Sequence, residues 1–107
     1  MKLIELIDHL KTASKAEQLR NQQIPDVEYD LVELYMKDSL SFESEIAFFD
    51  AETIPGYIII EMDGIRYKNL FSLNLIQEMV EEYVAEYPNW SDLDIAKRIM
   101  EYRINDA

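Results

Sequence analysis

The chain has no cysteine in its 107 residues. That excludes disulfides, thiolate metal sites and cysteine nucleophiles, and it suits a reducing compartment. Glycine occurs twice and proline three times, so no glycine-rich phosphate loop and no flexible linker can be written from them. The single histidine, His9, leaves a zinc site nothing but carboxylates to recruit. No GxSxG elbow and no HExxH pair occurs. Apolar runs fall far short of the roughly 20 residues that span a bilayer. The first eight residues, Met1 to Asp8, carry Glu5 and Asp8 within their apolar run, unlike a signal peptide. The expected location is cytoplasmic, with no membrane association.

Positive charge is also scarce. Ten Lys and Arg face 22 Asp and Glu, a net charge of −12. Residues 21–64 hold eleven of the acids and only Lys37. Such a field repels nucleic acid, so direct nucleic-acid binding is not expected, and it attracts basic surfaces. It also keeps a protein soluble, which is the plainer explanation.

Against these shortages, 49% of the residues are hydrophobic. That composition and length suit one domain, 1–107, with an ordinary core. Leu3, Leu6, Ile7, Leu10, Ala13 and Leu19 recur at helical spacing and predict a helix over 2–22. Pro25 ends it. Asp26, Glu28 and Asp30 then precede Val27, Leu31, Leu34 and Tyr35, which predicts a second helix over about 26–38.

The period next shortens. Phe42, Ile46 and Phe48 alternate with Glu43 and Glu45, the pattern of a half-buried strand. Asp63-Gly64 between two apolar runs predicts a hairpin, 57–62 with 65–71, because both turn residues of a two-residue loop need positive φ. Its register would pair Met62 with Ile65, Glu61 with Arg66 and Ile60 with Tyr67. Asn74 with Gln77 reads as a capping box opening a helix that Pro88 stops. Ser91 caps a last helix, with Trp90 as its staple onto Ile95. The expected class is α+β: a three-stranded antiparallel sheet packed by about four helices, in the order α-α-β-β-β-α-α.

Chemistry is sparse in this pattern. Asp26, Glu28 and Asp30 begin like a calcium loop, but its sixth and twelfth positions hold Leu31 and Lys37 rather than Gly and Glu. No cofactor, metal or catalytic residue is assigned, and the balance leans away from an enzyme. Glu78, Glu82 and Glu86 recur at i, i+4 and i+8 with Glu81 beside them. They form either a solvated face, a set of partners for Arg66, Lys68, Lys97 or Arg98, or a docking strip. The leading expectation is a non-enzymatic interaction or regulatory module. Its candidate surface is Asp26, Glu28, Asp30, Glu33, Glu43, Glu45, Glu78, Glu82 and Glu86, facing a basic protein. One alternative is a homo-oligomer joined through an apolar sheet face carrying Tyr57, Ile59 and Leu70. A further alternative is a small enzyme that uses paired carboxylates.

Overall fold

The computed structural model describes residues 1–105. Four antiparallel strands form one sheet in the order β2-β1-β4-β3: β1 is Val32–Lys37, β2 Ile46–Asp50, β3 Ile59–Met62 and β4 Ile65–Ser72. Four α-helices accompany it: α1 Leu3–Asp8, α2 Ala13–Gln23, α3 Leu73–Glu86 and α4 Asp92–Asn105. The class is α+β as expected, with one more strand than the sequence suggested.

The added strand is the central one. Residues 26–38 are not a helix: a short 3₁₀ turn, Tyr29–Leu31, leads into β1. Val32, Leu34 and Met36 are fully buried in the main core. Glu33, Tyr35 and Lys37 alternate with them, so period two describes the segment better than the helical grouping of Leu31, Leu34 and Tyr35. Tyr35 is buried on the opposite face from these three, and β-branched and aromatic residues suit such a half-buried pleated setting. Burying each of the three apolar side chains stabilises the fold by about 1.5–3 kcal/mol.

The first predicted helix is two. His9 follows α1 as its C-cap, and Thr12 caps α2 by accepting a hydrogen bond from the Lys15 amide at 3.1 Å. The bend still buries Leu10. Strand β2 starts at Ile46 rather than at Phe42, because residues 41–44 turn. Ile46 is buried and Phe42 and Phe48 pack on the core, so the expected apolar face exists although the strand is shorter.

The hairpin has the expected register of Met62 with Ile65, Glu61 with Arg66 and Ile60 with Tyr67. Its turn residues Asp63 and Gly64 take φ of 55° and 79°. Farther along β4 the pairing with β1 shifts by one residue: Leu34 faces Phe71 while Tyr35 faces Asn69. Leu70 is the extra residue of this bulge, and both Leu70 and Phe71 are buried in the core.

Helix α3 opens at Ser72, whose Oγ accepts from the Leu75 amide at 3.2 Å, and not at Asn74. Gln77 has a different task from the one expected of it. It is buried, and its Nε2 donates to the Leu10 carbonyl (3.3 Å) and to Glu81 Oε2 (2.7 Å). Ser91 and Asp94 form a reciprocal capping box on α4. Trp90 lies flat on Tyr87 with ring centroids 4.1 Å apart, and packs on Tyr83 at 6.0 Å.

Gly64 and Gly56 offer an internal comparison. An added Cβ meets no atom within 4 Å at either, but only Gly64 has positive φ. Replacing Gly64 with Val should cost about 1–2 kcal/mol, since a β-branched residue resists that region. Replacing Gly56 with Ala should leave stability unchanged or raise it by up to about 1 kcal/mol. Urea denaturation midpoints of the two variants check both outcomes.

Candidate functional site

The nine acidic residues of the expected surface do not form one surface. Glu43 and Glu45 lie beyond the C-terminal end of β1, where the Lys37 amide donates to the Glu45 carbonyl. Both have internal partners. Glu43 Oε2 accepts from Lys2 Nζ at 3.1 Å, and Glu45 Oε2 accepts from the α-amino group of Met1 at 2.7 Å. That ammonium is the main reason the Glu45 carboxyl titrates below its ordinary range.

Asp26, Glu28 and Asp30 lie at the other end of β1, exposed on the connection from α2. Tyr29, within this run, is half-buried and packs on the core. Its hydroxyl is shut off from water and has no hydrogen-bond partner. Burial pushes its pKa up to about 12, and the charges of Glu17, Asp30, Glu78 and Glu81 add to the shift. Those four carboxylates come from α2, the 3₁₀ turn and α3, so the fold gathers acids that are far apart in sequence around one tyrosine. Glu82 continues the field, lining a shallow surface groove with Glu78, Glu81 and Ala85.

Few cations answer this cluster. Arg20 Nε binds Glu17 at 3.0 Å, and Gln77 holds Glu81. Among the described residues no ion pair involves Asp26, Glu28, Asp30, Glu78, Glu82 or Glu86. Of the internal partners considered for the Glu78–Glu86 row, Arg98 instead pairs with Glu101 and stands over the Tyr102 ring. The row is therefore a solvated face of α3.

Glu33, on β1, is separate again. It faces away from the helices, half-buried, and its Oε2 accepts from Asn69 Nδ2 at 3.2 Å. Beside it Tyr35 is buried, donates its hydroxyl to the Tyr57 carbonyl at 3.0 Å and packs edge-on against Phe49. Burial raises the Tyr35 pKa, and the Glu33 charge adds to the rise while the Asn69 contact opposes it. Glu33, Tyr35 and Asn69 form the floor of a cleft of about 270 Å³, walled by residues 51–58. The cleft holds one carboxylate, Glu33, rather than the pair that most glycoside hydrolysis uses. The acids that do cluster, Glu78, Glu81 and Glu82, are exposed, whereas a carboxyl kept protonated for catalysis is withdrawn from water.

The apolar face expected to carry Tyr57, Ile59 and Leu70 is divided too. Helices cover Leu70, which is fully buried, but they do not reach Ile59, 49% exposed, or Tyr57, 69% exposed. Strand β3 is an outer strand of the sheet, and the exposed apolar residues follow its edge.

No family model, no curated protein and no solved structure matches this chain. Among the described residues no group of His, Asp and Glu is arranged to hold a metal ion, and no helix is long and apolar enough to cross a membrane.

Two stability measurements check the geometry of the acidic field. Replacing Tyr29 with Phe removes a hydroxyl that has lost water and gained no partner. The variant should be at least as stable as the parent, by up to about 1–3 kcal/mol. It should also lack one alkaline transition. A hydroxyl whose folded pKa is raised keeps its full contribution below its unfolded value near 10, and loses it as pH climbs toward about 12. Replacing Glu78, Glu82 and Glu86 together with Gln should raise stability by a few tenths of a kcal/mol per relieved pair. A fall in the thermal midpoint would show that the row is internally bonded.

Proposed function

We propose that this chain is a non-enzymatic interaction or regulatory module, cytoplasmic, that docks a basic protein on the acidic face built by Asp30, Glu78, Glu81 and Glu82. The observation that carries this reading is the convergence of carboxylates from separate elements around Tyr29, of which only Glu17 takes part in an ion pair among the described residues. Like charges held this near one another cost folding free energy. A cationic partner removes that cost on binding and is steered in by the same field. Asp26 and Glu28, exposed on the adjoining connection, extend the field. Glu33, Glu43 and Glu45 are omitted because they lie apart from this face: Glu33 is in the cleft of about 270 Å³, and Glu43 and Glu45 pair with Lys2 and the Met1 ammonium.

The same charge argues against nucleic acid as the direct ligand, because phosphates are repelled wherever these carboxylates stand. Docking of this type depends on salt. Exposed charges more than about 8–10 Å apart are screened at physiological ionic strength, and almost all of the attraction is gone near 1 M.

The test is capture of proteins from the source cell's lysate on the immobilised chain, in parallel with a variant carrying Asp30→Asn, Glu78→Gln and Glu82→Gln. A basic protein held by the parent at about 0.05 M salt, released near 1 M and not held by the variant is the expected result. Equal capture by both baits would remove the acidic face from the function.

A further inference from the structure

The sheet has two outer strands, β2 and β3, and the chain treats them differently. On β2 the Ile46 amide donates to the Met1 carbonyl at 2.9 Å, so the segment before α1 covers the start of that edge. Nothing among the described residues covers β3. Its free side can be deduced from the hairpin. A two-residue turn makes Met62 and Ile65 a hydrogen-bonded pair, and such pairs alternate along an antiparallel ladder. The bond from the Asn69 amide to the Ile58 carbonyl at 2.7 Å fits this alternation. Residues 58, 60 and 62 therefore turn their backbone groups toward β4. Ile59 and Glu61 turn theirs outward, with no partner strand.

Unprotected edges of this kind are templates for strand pairing, and folded proteins usually blunt them with proline, lysine or a bulge. Strand β3 has none of the three, and only its shortness, four residues, and the charge of Glu61 guard it. It is instead bordered by exposed apolar side chains: Tyr57 at 69%, Ile58 at 66%, Ile59 at 49% and Met62 at 40%. It is also the neutral part of an acidic molecule. Between residues 57 and 72, Glu61 and Asp63 are balanced by Arg66 and Lys68. A second copy can approach here without the repulsion that the net charge of −12 imposes elsewhere.

From these observations we infer that the chain forms a two-fold dimer in which β3 pairs antiparallel with β3 of a second copy, joining the two sheets into one. Register follows from the same residues. With the axis beside Ile60, Ile59 pairs with Glu61 of the other copy and the reverse, which engages every outward backbone group of both residues. Ile58 then lies across from the second copy's Met62, placing two exposed apolar side chains in contact. An axis beside Glu61 would set two glutamates directly opposite each other, an unfavourable like-charge pair. An axis beside Ile59 would need the backbone of Tyr57, whose carbonyl already accepts the Tyr35 hydroxyl. Because the contact is isologous and uses up the free edge of β3 in both copies, assembly stops at two copies rather than growing into a fibre.

Sedimentation equilibrium of the full chain tests this, from about 1 to about 500 μM, the range in which a small edge interface saturates. The expected mass rises to twice that of the monomer and is unchanged by high salt. Exchange protection of the Ile59 and Glu61 amides should rise with concentration in step with the mass. Ile59→Pro deletes an outward donor while leaving the ladder to β4 intact, and should sediment as a folded monomer. Should circular dichroism show that variant unfolded, Ile59→Lys serves the same purpose through charge at the edge. Leu93→Lys, on α4, should remain dimeric. A parent that stays monomeric throughout, a dimer dispersed by salt, or a dimer that survives in the folded Ile59 variants overturns the inference.

Discussion

Everything in this fold depends on β1 having two sheet neighbours and a buried residue on each face. Its pairing with β2 and β4 joins the two halves of the sheet. Its helix-facing side, Val32, Leu34 and Met36, anchors the main core, and its other side buries Tyr35 beneath the 51–58 segment. The bulge in β4 opposite the Leu34–Tyr35 step serves both layers. One extra residue lets Leu70 and Phe71 both enter the helix-side core while Asn69 stays opposite Tyr35 on the other face. A regular strand, alternating strictly, would send one of that adjacent apolar pair outward.

This central strand is also where sequence reasoning fails, for a physical reason. In residues 26–38 the acids before the apolar run resemble a helix N-terminus, and Leu31, Leu34 and Tyr35 fit a helical stripe as well as a strand. Tyr35, buried on the same side as Glu33 and Lys37, breaks the polar–apolar contrast that marks period two. The turn and register of the hairpin, by contrast, were legible, since Asp63-Gly64 encodes the turn geometry locally and Glu61–Arg66 marks the register, although β3 starts at Ile59 rather than Tyr57 and β4 runs to Ser72. The break after α1 was hidden because Leu10 continues the helical stripe in sequence while filling the core from a turn.

The acidic field was half legible. The row on α3 can be read from spacing alone, and its exposure follows from the apolar stripe opposite. Its meeting with Asp30 and Glu17 around Tyr29 depends on how α2 and α3 pack beside the 3₁₀ turn, and no local pattern carries that information. Glu43 and Glu45 illustrate the converse. Their alternation with Phe42 and Ile46 correctly marked them as exposed, but nothing local shows that Lys2 and the Met1 ammonium would be folded against them.

The scarcity of positive charge explains why the acidic field stands where it does. Lys2, Lys11, Lys15 and Arg20 all serve to hold the N-terminal third in place. Lys2 reaches Glu43, Lys11 binds Asp92 on α4 at 2.8 Å, Lys15 approaches Asp8, and Arg20 also donates to the Pro25 and Val27 carbonyls. Arg103 on α4 donates to the Asn69 carbonyl of β4. With those cations engaged, the acids of the 24–31 connection and of α3 have few neighbours left to neutralise them. The hairpin, which carries its own Arg66 and Lys68, is the exception. The molecule is thereby divided into a charged face and a neutral, apolar edge. Salt weakens contacts at the first and leaves those at the second intact, so ionic strength separates the two proposed contacts.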